Sequence, residues 1–299
     1  FSVLENPHGI LFNPVSVAEA ITEYIEKPAY TQEDLFNYNE GWHSWKHHSR
    51  FSGISSEEAL AKINSSITNA HAYLKDADYV LITLGSSWIY TLTENAINAK
   101  KGSVAANNHK APSDWFSRRL MRIEEVLQVL DEMIHRLFLF NPKLKIIFTI
   151  SPVRHLREGV VENNRSKAVL IQAVHHLVDK FDNIYYFPAY ELVIDDLRDY
   201  RFYAEDLVHP NYFATQYVWE KFTAACMTEN TRTLMEELHS IHLALNHKPF
   251  NATSAQHKKF LKTFYEKSKS IQEKYRYLDL SKELEYFSLN LDLGGLNGL

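Results

Sequence analysis

Three short apolar runs, separated by long helical patterns, constrain the fold of this chain more than any other feature. The runs cover Tyr79–Leu84, Leu144–Ile150 and Ile184–Phe187, and glycine or proline lies just beyond each of them. Helical patterns fill the gaps, at about residues 15–27, 56–75, 114–139, 164–181 and 212–227. This alternation predicts an α/β fold: a mostly parallel sheet, joined by right-handed crossovers, with helices on both faces.

The last quarter of the chain has a different pattern. From about residue 229 the sequence is charged and helical, over 231–245 and again over 254–275, with a hinge-like stretch at 246–253 between them. We therefore predict two domains: an α/β domain over residues 1–228 and a helical C-terminal extension over residues 229–299.

Composition narrows the classes of partner. The net charge is −5 and the pI is near 6.3, with basic residues interspersed among acidic ones, which argues against nucleic-acid binding. No apolar run approaches the roughly 20 residues that span a bilayer, so no membrane span is predicted. The single cysteine, Cys226, excludes an internal disulfide framework and favours a cytoplasmic location. The chain does not begin with Met, which leaves a signal peptide open. No cofactor is indicated.

Chemistry-bearing loops follow the predicted strands. Gly85–Trp88 comes directly after the first run and Ser151–His155 after the second, while Gly9 follows a further candidate strand, Phe1–Leu4. In parallel sheets the ligand crevice lies beyond the carboxyl ends of the strands. We therefore expect these three loops to converge on one site.

A carboxylate lies three residues before a histidine in the segment 202–210, FYAEDLVHP. In a Ser-His-Asp hydrolase the aspartate orients one imidazole nitrogen while the other nitrogen takes the proton of the nucleophile. His209 is accordingly the predicted general base and Asp206 its orienting residue. The alternative is a capping aspartate beside a surface histidine.

Five segments resemble the GSCFA-domain family: NPHGILFNP (6–14), TLGSSWIY (83–90), IFTISPVRH (147–155), ENNRSKA (162–168) and RDYRFYA (198–204). This bacterial family is similar to the SGNH, or GDSL-like, hydrolases. The resemblance implies a three-layer, flavodoxin-like sandwich and ester hydrolysis by a serine nucleophile.

The nucleophile of that family lies in a Gly-Ser-Cys-Phe-Ala run, which this chain lacks. The resemblance implies that the serine lies N-terminal to Phe1, on an internal strand of a sheet ordered 2-1-3-4-5. Without that strand, backbone groups inside the sheet lose their partners, at about 1–3 kcal/mol for each buried group.

The resemblance also suggests donors for an oxyanion hole. Gly9 and Gly85 correspond to glycines of the family motifs, but Ser87 and Trp88 occupy the places of Asn and Asp in the SGNH Gly-x-Asn-Asp block. Asn107, which precedes Asn108, is the predicted compensating amide donor. The alternatives are a plain turn glycine at Gly9 and an ordinary loop asparagine.

Five further residues are predicted to line the substrate crevice: His43, Trp88, His109, Arg154 and His155. Arg154 could bind a substrate carboxylate, although a structural ion pair is an equal alternative. His43 and His47 have i, i+4 spacing, but no third ligand has a recognised spacing, so no metal site is predicted.

The sequence thus predicts a serine esterase of the SGNH type acting on a small acyl ester, for example on a carbohydrate. A non-catalytic ligand-binding or scaffold protein on a hydrolase fold is the second hypothesis, because a fold does not fix a function. A metal-dependent hydrolase using the His43 region is the third.

Overall fold

The structure, a computed structural model, describes residues 1–293, with side chains to residue 291. The chain divides into two compact units: the first is Phe1–Val218, and the second begins at Trp219. The strands are β1 (Phe36–Tyr38), β2 (Gly41–His43), β3 (Tyr79–Leu84), β4 (Trp88–Leu92), β5 (Val104–Ala105), β6 (Phe116–Leu120), β7 (Lys145–Ile150) and β8 (Ile184–Tyr186).

The helices of the first unit follow strands or loops in alternation. They are α1 (Pro14–Glu26), α2 (Ser56–Asp76), α3 (Ile123–Phe140), α4 (Val160–Lys180) and the short α5 (Ala189–Glu191). Helix α6 (Tyr212–Cys226) begins in this unit and continues past its last residue, Val218. The later helices are α7 (Glu229–Leu245), α8 (Ala255–Lys274) and α9 (Ser281–Leu293). Within residues 1–293, none of these helices combines the length and the apolar character needed to cross a membrane.

A parallel sheet of order β3-β7-β8 lies in the first unit. Its strands match the three predicted apolar runs to within one residue at each end, so the α/β prediction is confirmed. The β-branched and aromatic side chains of KIIFTI in β7 suit a central strand, and four of its six side chains are buried.

One face of this sheet is covered by helices. Ile82 in β3 and Phe148 in β7 point into the main core, together with apolar side chains of α1, α3 and α4. Successive side chains of a strand point to opposite faces, so the residues that alternate with these point to the other face, where Tyr79, Leu81 and Tyr185 are exposed. We predicted helices on both faces; within residues 1–293, helices α1, α3 and α4 cover one face, and the other face has exposed side chains.

The outer edge of β3 carries no partner strand within residues 1–293. The predicted strand Phe1–Leu4 is wrong: this segment has no regular structure and is exposed, and its contact with α2 is the Tyr73 hydroxyl donating to Ser2 Oγ at 2.6 Å. A strand needs a neighbour for its backbone groups, and none lies beside this segment.

Two antiparallel elements were not predicted. β4 is central to a small sheet of order β5-β4-β6, and β1 pairs with β2 in a hairpin. The predicted helix 114–139 therefore begins only at Ile123, because Phe116–Leu120 pairs with β4 instead. His43 lies on a strand, so its i, i+4 spacing to His47 does not place the two on one helical face.

The second unit has its own core, formed by apolar side chains of α7, α8 and α9 and by Leu280, which precedes α9: Leu234, Ile241, Ala244, Leu261, Ile271, Leu280 and Phe287. The helical character predicted for the C-terminal extension is therefore present. Residues 294–299 of that predicted extension lie outside the described residues.

Helix α3 offers a matched test of the main core. Leu130 is fully buried, whereas Leu139 is 85% exposed. We expect Leu130→Ala to lower the free energy of unfolding by about 2–5 kcal/mol, because it leaves a cavity in the core. Leu139→Ala should change it by less than about 0.5 kcal/mol. Urea titration measures both, and similar losses in the two variants would contradict this account of the core.

Candidate functional site

A buried lysine joins the ends of two parallel strands. Lys167, on α4, donates to the carbonyl of Gly85 after β3 at 2.6 Å and to that of Ser151 after β7 at 2.5 Å. Its side chain is almost fully buried, and burial lowers the pKa of Lys167 to about 7. The two strand-end loops are therefore held together by one amino group.

Neighbouring residues of α4 extend this junction. The Ser166 hydroxyl accepts from the Ser87 amide at 2.8 Å, and Ser87 Oγ donates to the Ser166 carbonyl at 3.1 Å. Asn163 Oδ1 accepts from the backbone amide of His155 at 2.9 Å. One face of α4 thus positions the first residues of both loops.

Asp206 and His209 form the predicted pair. Asp206 Oδ2 lies 2.6 Å from His209 Nδ1, and its Oδ1 accepts from the backbone amides of Val208 and His209. These hydrogen bonds, the His209 amide first, lower the pKa of Asp206 to about 2. A carboxylate held ionised on Nδ1 leaves Nε2 as the free nitrogen of His209, which is the arrangement that a general base needs.

Arg154 connects this pair to the β7 loop. Its guanidinium donates to the Leu207 carbonyl at 3.0 Å and to the Tyr203 hydroxyl at 3.1 Å, and lies 4.3 Å from the Tyr203 ring centre. Leu207 has a φ of 57°, which is uncommon for a bulky residue. Arg154 therefore stabilises the strained turn between Asp206 and His209, and these contacts differ from both roles predicted for it.

His155 lies within electrostatic range of His209. Burial lowers the pKa of His155, the charge of Lys167 lowers it further, and the charge of His209 contributes in the same direction. The His155 ring also contacts Phe12 edge-on, with ring centres 5.7 Å apart. The N-terminal loop and the β7 loop therefore meet at His155, and the exposed Asp206–His209 pair lies within electrostatic range of it.

A cleft of about 270 Å³ opens at this meeting point. Three of the predicted site residues, Trp88, Asn107 and His155, line it together with Phe12 and Ser86. Asn107 Oδ1 accepts from the His109 amide at 2.8 Å, while its Nδ2 has no partner among the described residues. The Asn107 side chain is thus fixed in orientation, and its Nδ2 remains available as a hydrogen-bond donor.

Neither predicted glycine has a free amide in this structure. The Gly85 amide donates to the Phe12 carbonyl at 2.8 Å, and the Gly9 amide donates to the Asn6 carbonyl at 2.7 Å. Gly9 is needed for another reason: its φ is 85°, and a Cβ there would lie 2.1 Å from Cβ of His48. In this conformation both glycines shape the loops rather than offer oxyanion donors.

Two predicted substrate-binding histidines lie away from the cleft. His43 uses both ring nitrogens, with Ser52 Oγ at 2.7 Å and the Tyr38 carbonyl at 3.0 Å. His109 is buried with its Nε2 2.9 Å from the Ser44 carbonyl, and burial lowers the pKa of His109 to about 4. The two rings pack 4.8 Å apart in an aromatic cluster, so here they support the loop that carries Asn107.

Metal-ligating side chains come together at one place in the described part of the chain. The donor atoms of His8, Glu23 and His47 all lie within 4.8 Å of one another, and all three residues are buried. Glu23, however, already pairs with His8 at 2.8 Å, with the Lys46 ammonium at 2.9 Å and with the Tyr30 hydroxyl at 2.8 Å. An ammonium on the carboxylate opposes a second cation, so we interpret this group as a hydrogen-bond network.

The pattern of the sequence did not assign roles to α4. Asn163, Ser166 and Lys167 were not among the predicted site residues. A usable signal was present: Ser166 and Lys167 lie at helical spacing on the same face as the apolar residues from Leu170 to Leu177, and polar residues on a buried face need partners.

Most of the chain matches one known protein family. Residues 1–222 match the GSCFA family, and residues 238–292 match the C-terminal domain of GSCFA domain proteins. The chain therefore belongs to the GSCFA family, as the sequence motifs predicted. No curated protein and no solved structure matches it significantly.

Buried neutral histidines make stability depend on pH. Burial, followed by the charge of His8, lowers the pKa of His47 to about 2. Burial also lowers the pKa of His109, to about 4. The unfolded chain therefore binds protons that the folded one does not, and stability falls as the pH drops below about 6.5. Burial raises the pKa of Glu23, but hydrogen bonds from His8 and Lys46 outweigh this effect and lower the pKa to about 2. Protonation of Glu23 therefore causes a further loss of folding stability below about pH 4.5.

Between pH 7 and pH 5 we expect each of these two histidines to cost about 2 kcal/mol of stability. His47→Gln should shrink the loss over that interval by about that amount, whereas His135→Gln, an exposed control on α3, should not change it. Urea titrations at the two pH values measure the difference. An unchanged pH dependence in His47→Gln would show that His47 is not buried in its neutral form.

Proposed function

We propose that this protein is a serine esterase of the SGNH type acting on a small acyl ester, for example on a carbohydrate. The observation that carries the proposal is the Asp206–His209 pair, with Oδ2 and Nδ1 2.6 Å apart, within electrostatic range of His155, which lines the cleft. Membership of the GSCFA family supports the same assignment through the family's similarity to SGNH hydrolases.

The sheet supports an SGNH-type three-layer sandwich as part of the proposal. Strands β3, β7 and β8 would be the third, fourth and fifth strands of the order 2-1-3-4-5. The open edge of β3 is then the place of the strand that carries the nucleophile.

The proposed mechanism uses a serine N-terminal to Phe1. Its Oγ attacks the acyl carbon while His209 Nε2 takes the hydroxyl proton, and Asp206 stabilises the resulting imidazolium. Asn107 Nδ2 donates to the oxyanion of the tetrahedral intermediate. His209 then returns the proton to the leaving alcohol, and water hydrolyses the acyl-enzyme through the same base. In the described part of the chain, no serine side chain hydrogen-bonds to His209.

A second candidate is a ligand-binding protein on the same fold. The engaged amides of Gly85 and Gly9 favour it, because a working oxyanion hole usually has several free donors. A ligand that binds tightly in the cleft without turnover would support this candidate.

Activity on p-nitrophenyl acetate tests the esterase, in protein extended to include the family's Gly-Ser-Cys element. We expect labelling by a fluorophosphonate and turnover that His209→Ala lowers by roughly 1000-fold or more, because the base is lost. Asp206→Asn should also lower kcat strongly, through the wrong tautomer. His135, which lies 3.4 Å from Asp131 in another surface pair, provides the control: His135→Ala should keep full activity. A folded protein that neither labels nor turns over would contradict the proposal.

A further inference from the structure

A second, larger cavity adjoins the cleft. Its volume is about 570 Å³, and it shares Tyr90, Asn108 and Arg157 with the cleft. The shared residues make the two spaces neighbours along one surface. A substrate whose acyl group lies in the cleft therefore has room for the rest of the molecule here.

The wall of this cavity comes from the antiparallel sheet. Tyr90 of β4 pairs directly with Arg118 of β6, and Leu92 pairs with Phe116. Because side chains alternate between faces, Tyr90, Arg118 and Phe116 all project from the same face, and all three line the cavity. The strand register thus presents an aromatic and cationic surface.

Positive charge accumulates on this surface. Lys110, Arg118 and Arg157 line the cavity, and the Arg118 guanidinium lies 5.6 Å from the Trp88 ring centre and pairs with Glu158 at 2.5 Å. Lys110 and Arg157 have no carboxylate partner among the described residues. The protein carries a net charge of −5. Two uncompensated cations in one cavity therefore form a local positive region on a protein that is negatively charged as a whole.

The polar atoms of the wall are also held in place. Arg157 donates to the Tyr90 hydroxyl at 3.1 Å, which fixes its guanidinium over the cavity wall. Asn108 to Ala111 form a turn closed by a 2.8 Å backbone hydrogen bond, with His109 and Lys110 at φ of 48° and 58°. Two consecutive non-glycine residues in the left-handed region are costly, and such conformations concentrate at binding sites.

From this geometry we infer that the cavity is an anion-binding subsite, in which Arg157 and Lys110 bind a carboxylate or phosphate group beside Arg118, whose charge Glu158 compensates. The inference rests on the proposed function for treating the anion as part of the substrate. The substrate of the proposed esterase is then an ester whose alcohol part is anionic, such as an acylated sugar acid or sugar phosphate. Arg157 gives planar, bidentate recognition, and Lys110 adds a point charge.

Isothermal titration of the chain tests the subsite without requiring turnover. The probes are inorganic phosphate and three sugars: glucose 6-phosphate, glucuronate and glucose. We expect one charged sugar to bind at least about tenfold more tightly than glucose, with the affinity falling as salt rises. The phosphate and glucuronate arms distinguish the two anions.

Matched variants assign the binding to the cavity. Arg157→Gln should weaken binding of the preferred anion about tenfold, and Lys110→Gln by a smaller factor. Arg136→Gln provides the control, because this exposed arginine on α3 pairs with Glu26 and Glu132 instead. Charged probes that bind no better than glucose, or that bind Arg157→Gln as well as the unchanged protein, would overturn the inference. Anion binding without esterase activity would instead reject the proposed function alone.

Discussion

The geometry of the site depends on one buried amino group. Lys167 reaches from α4 to the carbonyls that end β3 and β7, and it has no carboxylate partner among the described residues. Burying a cation without a counter-charge is costly, and the depressed pKa of Lys167 reflects that cost. In return, two loops that are distant in sequence are fixed side by side. The cleft forms where these loops begin.

The histidine pair is positioned by a separate set of contacts. The Ala204 amide donates to the His209 carbonyl at 2.7 Å, which closes the turn that holds Asp206 and His209. Arg154 then attaches this turn to the β7 loop. Burial and the charge of Lys167 lower the pKa of His155, whereas the His209 side chain is exposed and pairs through Nδ1 with Asp206. Two neighbouring histidines thus have different environments and different chemistry.

The sequence was sufficient where local pattern and tertiary structure agree. The apolar run of β7 is surrounded by turn signals, and Asp206 and His209 are close enough in sequence for their pairing to be local. The sequence was insufficient where a distant pairing partner determines whether a segment forms a strand. Phe1–Leu4 has a strand-like composition but no neighbouring strand, while Phe116–Leu120 forms a strand because β4 offers one.

The roles of single backbone groups were equally hidden. Gly85 was predicted as an oxyanion donor from its motif, yet its amide is taken by Phe12, a residue far away in sequence. Lys167 could not be assigned from spacing because its partners are carbonyls, which carry no residue identity. Hydrogen bonds to the main chain leave almost no trace in a sequence.

The most direct test of the account is a crystal structure of the fluorophosphonate adduct of the protein with its serine element present. Our account predicts the phosphonyl oxygen facing Nδ2 of Asn107, with Nε2 of His209 within about 3.2 Å of the serine Oγ. It also predicts the modified serine beside the open edge of β3. An adduct elsewhere on the surface, or an imidazole at residue 209 turned away from the phosphonate, would contradict it.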